Sequence, residues 1–147
     1  MPRIKIDLPT AYSFSAIIPI RITDINYGGH VGNDTILSLL HEARVQFLEK
    51  HGYSELESGG VGLIMSDVLI DFKKELFYGT NIKVSIVAGD FTNVTFNLYY
   101  KIEIEAGENN MVIATAKTGM VSYDYKKKKI AVLPEEVKLK LMARKIQ

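Results

Sequence analysis

Residues 33–51, NDTILSLLHEARVQFLEKH, decide the fold. Ile36, Leu37, Leu40, Ala43, Phe47 and Leu48 recur at the steps that line side chains along one face of a 3.6-residue helix, while Glu42, Glu49 and Lys50 fall mostly elsewhere. Asn33 or Asp34 can cap the start by accepting from first-turn N–H groups, and Gly52 is placed to end the helix. A helix so apolar on one side needs a broad surface to cover.

The flanking chain supplies that surface. Residues 61–73, 81–90, 91–106 and 111–125 read as strands. The alternation is clearest at Ile82, Val84 and Ile86 and along Val94, Phe96, Leu98, Tyr100, Ile102 and Ile104. The segments ELFYGT, GDFT and AGENN between them are of turn length, which joins antiparallel neighbours rather than crossing over. Before the helix, residues 12–23 (YSFSAIIPIRIT) read as a first strand, and Pro19, with no N–H to donate, places it at an edge or a bulge. After Pro134, EEVKLKLMARK reads as a short terminal helix with acids first and bases last, as the macrodipole favours. Strand, helix and four more strands imply an α+β fold, a five-stranded antiparallel sheet wrapped around a central helix. No repeat or linker divides the chain, so residues 1–147 are expected to form a single domain.

Composition narrows the function. A formal net charge of +1 gives no global reason to expect nucleic acid, and the absence of cysteine removes disulfides, thiolate ligands and a cysteine nucleophile together. The opening MPRIKIDLPTAYSF has no apolar signal core, and no run of about 18 apolar residues occurs, so a cytoplasmic protein without a membrane span is expected. There is no GxSxG, no GxxxxGK[ST] and no HExxH. His30, His41 and His51 offer no i, i+4 pair, so neither a metal nor another cofactor is expected. The glycines of ESGGVG (57–62) read as a turn into the next strand, and the lysine run 126–129 as a solvated loop or a contact for a phosphorylated ligand.

The polar chemistry gathers at RITDINYGGHVGN, residues 21–33. Asp24 and Asn26 stand near the end of the first strand, and the GGH turn leads into a helix whose first N–H groups lack internal partners and favour negative charge. A polar side chain that directs water, beside backbone donors that hold an oxyanion, is the minimum equipment for acyl transfer. On spacing alone the plainer reading is a tight polar corner.

The run Arg21 to Arg44, RITDINYGGHVGNDTILSLLHEAR, resembles hotdog-fold thioesterases of the 4-hydroxybenzoyl-CoA thioesterase type, whose pattern is approximately R..D.D..GHVNN..Y......AR. Arg21, Asp24, Gly29, His30, Val31, Asn33, Ala43 and Arg44 match without a gap. The resemblance extends from about Tyr12 to Leu133 and implies the hotdog fold and hydrolysis of an acyl-CoA to free acid and coenzyme A. The second acid of the D.D pair is the usual catalytic carboxylate, and Asn26 stands there; an amide is no general base at neutral pH. The resemblance therefore leaves Asp24, on the same side of an extended strand, as candidate carboxylate, with Asn26 orienting water or substrate. An acid from the helix, Asp34 or Glu42, is the second possibility, and loss of hydrolysis the third.

The same resemblance assigns the N–H groups of His30 and Val31 to the thioester carbonyl, Asn33 to the helix cap and Tyr27 to shielding the site. Gly32 and Ile36 replace an asparagine and a tyrosine of the pattern. It further implies a homodimer or homotetramer with the active site between subunits, where Gly60, Val61 and Gly62, opening the segment to Met65, meet the partner's strand–helix junction. Lys73 and Lys74 are the candidates for the nucleotide and pantetheine arm. Hydrolysis from acyl carrier protein, and a non-catalytic acyl-thioester binding or assembly module, are the alternatives.

Overall fold

Residues 5–142 are described by a computed structural model. The order is β1 (Phe14–Pro19), a single 3-10 turn (Ile22–Asp24), α1 (Asn33–Lys50), β2 (Gly62–Phe72), β3 (Asn81–Gly89), β4 (Thr95–Ala106), β5 (Asn109–Asp124), β6 (Lys129–Ile130) and α2 (Glu135–Met142). The long strands lie in the order β1-β3-β4-β5-β2, every pair antiparallel, and the short β6 adds to β5. This is the expected sheet with one extra short strand, since the lysine run turns back and its last member, Lys129, opens β6. Of the terminal helix, the basic end expected at Arg144 and Lys145 lies outside the described residues.

Period-2 patterning sets the register. Val84, Ile102 and Ala114 stand side by side across β3, β4 and β5, as do Ile86, Tyr100 and Ala116 in the next row. Small residues on β5 face large ones on β4, and α1 fits over the resulting surface. Leu40, Phe47 and Leu48 on α1 are completely buried, each worth about 1.5–3 kcal/mol. The apolar face is rotated slightly from the expected one: Leu39 is buried and Leu37 only partly, because β1 reaches the Leu39 side of the helix. Phe14 of β1 meets Phe47 edge-on at 5.7 Å between ring centres.

Both helix ends depart from or refine the expectation. Gly32 is the N-cap and Asn33 the first helical residue, so neither Asn33 nor Asp34 caps with its side chain. At the other end Gly52, at φ +80°, donates to Glu49 O (2.9 Å) and Tyr53 N–H to Leu48 O (2.9 Å). Those two bonds form a Schellman stop that only a residue tolerating positive φ completes cheaply.

A buried polar network ties α1 to the sheet. Arg44 donates from Nε to Glu55 Oε1 (2.8 Å) and from Nη1 to the Tyr100 hydroxyl (3.3 Å), which itself pairs with Thr118 Oγ1 (2.8 Å). Burial works against the charge on Arg44, but Tyr100 and Glu55 outweigh it and hold its pKa above the usual arginine value. Burial first of all raises the Tyr100 pKa, with Arg44 and Thr118 acting against it. The matched Arg44 thus clamps α1, the segment before β2 and the sheet.

Candidate active site

The site is prepared where β1 stops. Pro19 is its last residue, opposite Asn81, and Ile20 N–H makes one more bond, to Thr80 O at 2.9 Å. The chain then winds up. Arg21 N–H donates to Asp24 Oδ2 (2.8 Å), Asp24 N–H donates to Arg21 O (3.0 Å), and the Arg21 guanidinium stands 3.5 Å from Asp24 Oδ1. These reciprocal bonds make residues 22–24 a 3-10 turn, so the strand expected through residue 23 ends at Pro19. Asp24 and Asn26 consequently do not share one side of an extended strand. Asp24 is 6% exposed and lines a cavity of about 340 Å³ with Arg21, Ser38, Leu39 and Glu42, on the flank of α1 next to β1. Glu42 there accepts from Gln46 Nε2 at 2.8 Å.

Asn26 begins a tight loop. Its side-chain Oδ1 accepts from Gly28 N–H (2.9 Å), its carbonyl from Gly29 N–H (3.1 Å), and its own N–H donates to His30 O (3.0 Å). Gly29 sits at φ +86°, where a side chain would be strained. With Oδ1 turned to Gly28, the Asn26 amide nitrogen faces Gly32, 3.5 Å from the point a Cβ would occupy there. Tyr27 at the loop tip is fully exposed and covers nothing among the described residues.

The loop delivers the start of α1 to a cleft of about 280 Å³. His30, Val31, Asn33 and Ile36 form one wall, Phe72 to Leu76 the other, and Ile113 and Ala114 the floor. Of the two N–H groups expected to face a thioester, that of Val31 is spent on Leu76 O at 2.8 Å, a bond that fastens the helix start to the β2–β3 connection. The N–H groups of His30, Asn33 and Asp34 find no acceptor among the described residues. The free donors therefore lie largely one step further along, in the first turn of α1, where the dipole adds its positive end. His30 Nδ1 lies 3.1 Å from Val31 O, which orients the ring toward holding the loop.

Lys73 and Lys74 border this cleft as expected, and both backbone N–H groups bond Ile113 O (2.9 and 3.1 Å). Lys73 Nζ also stands 3.1 Å from Asp71 Oδ2. Gly60, Val61 and Gly62 are not brought here. They lie at the opposite end of the 11-residue β2, roughly 30 Å along the strand. Gly62 lies directly against the Tyr125 ring, with no room for a side chain. Phe72, Ile113 and Ala114 went unread in the sequence, since their meeting depends on β2–β5 register, which pairs Phe72 with Ala114. A larger cleft of about 550 Å³ near Thr80, Lys83 and Glu103 includes none of the residues 21–33.

Residues 20–141 match the profile of the thioesterase-like superfamily. A search of curated proteins finds no match. Among solved structures, the chain is similar to a 1,4-dihydroxy-2-naphthoyl-CoA thioesterase from Synechocystis (22% identity, TM-score 0.76, covering 87% of this chain and 94% of that one). It is also similar to a thioesterase-superfamily protein from Jannaschia (15%, TM-score 0.80, 92% and 85%). A third is an aspartate-to-asparagine mutant of 4-hydroxybenzoyl CoA thioesterase complexed with 4-hydroxybenzoyl CoA (15%, TM-score 0.78, 89% and 99%). At these identities the likeness establishes the fold, which is the hotdog. No helix among the described residues is long and apolar enough to cross a membrane.

Proposed function

Because the chain belongs to the thioesterase-like superfamily, we propose that it hydrolyses an acyl-CoA thioester to a free acid and coenzyme A. The observation that carries this reading is the cleft at the start of α1, where unpaired N–H groups and two lysines border an apolar floor. The thioester carbonyl oxygen accepts from the N–H groups of Asn33 and His30, which stabilise the oxyanion that forms when water attacks. Ile36, Phe72 and Ile113 take the acyl group, and Lys73 and Lys74 meet coenzyme A phosphates. Asn26 orients water or substrate. Asp24, held by Arg21 away from the cleft, keeps the turn from which Asn26 projects.

The reading includes a homodimer. β2 is an edge strand, with Val68 and Phe72 each 38% exposed. Antiparallel pairing of two such edges brings the partner's copy of residues 60–65 beside Phe72 to Lys74, which completes the cleft and hides two open edges. A non-catalytic acyl-thioester binder is the second reading, favoured by one observation: the residue at the expected acid position, Asn26, is an amide locked in the loop.

The test is thiol release from short, long and aromatic acyl-CoAs and from the same acyl groups on acyl carrier protein. Turnover of at least one acyl-CoA is expected. Tight binding by calorimetry without turnover would move the assignment to the second reading, and a preference for the carrier protein would replace the substrate.

A further inference from the structure

We infer that this site takes short aliphatic acyl groups without polar substituents, because a bulge in β5 seats Ile113 as the end wall of the cleft. The inference rests on the acyl-thioester reading above and names its substrate class. Consecutive residues of a regular strand point to opposite faces, yet Ile113 and Ala114 both line the cleft, and each is 1% exposed. The β4–β5 register gives the reason. Ile102 stands opposite Ala114 and Glu103 opposite Val112, so Ile113 is an extra residue with no partner on β4. A bulge of this kind bends its strand and re-aims a side chain. The Ile113 carbonyl oxygen accepts from the Lys73 and Lys74 N–H groups (2.9 and 3.1 Å), which fixes the facing wall, Phe72 to Leu76, to this same residue.

Behind the rim the lining is hydrocarbon. Val31, Ile36, Leu76, Ile113 and Ala114 are buried, whereas Asn33, Lys73, Lys74 and Glu75 are exposed and His30 is half-buried. Among the described residues no buried polar side chain lines the cleft, so a ring hydroxyl on the acyl group would leave water without gaining a partner. Nor does the cleft continue inward. The next residues on the Ile36 face of α1, Leu40 and Ala43, are buried, as are Ala116 and Thr118 further along β5. At that depth the Arg44 bond to the Tyr100 hydroxyl, itself paired with Thr118, joins helix to sheet. The cleft's volume of about 280 Å³ falls just short of the roughly 300–1,000 Å³ that drug-sized ligands occupy. With the thioester held at the first-turn N–H groups, the space left suits an acyl chain on the order of four to six carbons. In the proposed dimer the partner's segment stands beside Phe72 to Lys74, at the mouth, so it adds wall and not depth.

The test is calorimetric binding of S-alkyl-CoA thioethers, which have no carbonyl to attack, from ethyl to dodecyl, with S-(4-hydroxybenzyl)-CoA as the polar aromatic arm. Affinity is expected to peak between butyl and hexyl and to fall by about tenfold or more at dodecyl, with the hydroxybenzyl thioether weaker than hexyl. Thiol release from the matching acyl-CoAs is expected to follow the same order. Ile113→Val, which trims the end wall by one methylene, should move the preferred length about one carbon longer. Ile113→Ala should move it further, and thermal unfolding checks that each variant is folded. Affinity still rising at dodecyl, tightest binding of the hydroxybenzyl thioether, or no binding of any thioether overturns the inference, while thiol release judges hydrolysis separately. A preferred length unmoved in folded Ile113→Val and Ile113→Ala overturns it as well. Short thioethers bound tightly with no acyl-CoA cleaved would sustain the pocket and move the chain to the non-catalytic reading.

Discussion

His51 caps the C-terminal end of α1 with its ring edge-on to Phe47, 5.0 Å between centres, and its Nε2 is buried without a partner among the described residues. Burial, and then the charges of Lys140 and Lys50, push its pKa below the usual histidine value. The sign of the resulting pH dependence follows. The unfolded chain takes up this proton more readily than the folded one, so stability is full above about pH 6.5 and is lost as pH falls through the lowered folded value. Urea unfolding at stepped pH should show this fall, and His51→Gln should flatten it; an unchanged slope in the variant would remove His51 from the account. At the same scale, the sequence located the polar loop and its residue types correctly but misjudged which atoms are free. The Val31 N–H goes to Leu76, forty-five positions downstream, and no local pattern signals a bond of that separation.

At the scale of elements, α1 was legible because a 3.6-residue apolar period is a local property. Its attachment to the sheet was not. Arg44 matches the family pattern, but nothing in the sequence names its partners: it is 5% exposed and joins Glu55, Tyr100 and, through the tyrosine hydroxyl, Thr118 across three separate segments. Arg44→Ala leaves Tyr100 and Glu55 without their shared cation in a largely buried place. A loss of about 3 kcal/mol is expected, at the lower end for a broken buried pair because Glu55 keeps some solvent contact. Chemical denaturation measures it, and a loss under about 1 kcal/mol would show the clamp to be dispensable. The first strand shows the reverse limit: its apolar run continues to Ile20 and Ile22, but the Arg21–Asp24 exchange of bonds overrides the strand preference.

At the scale of the whole molecule, β2 ends the strand order of the described residues and Gly60 to Gly62 lie far from the cleft, and the proposed two-fold pairing of β2 with its copy would account for both. Val68 lies next to the middle of that strand, so Val68→Lys sets like charges near each other across the axis. Sedimentation velocity should find wild type as a dimer or larger and the variant shifted toward monomer, with thiol release falling in parallel. A monomeric, fully active wild type would show instead that one chain holds the complete site.

By itself the sequence determined the α+β class, the strand and helix order and the place of the polar loop, because apolar periodicity, turn residues and helix signals act over a few neighbouring positions. Only the tertiary structure decided that Asp24 and Glu42 line the flank of α1 away from the cleft, and which first-turn N–H groups stay free among the described residues. These depend on sheet register and on one 3-10 turn, and both are settled by bonds between residues that no local pattern places together.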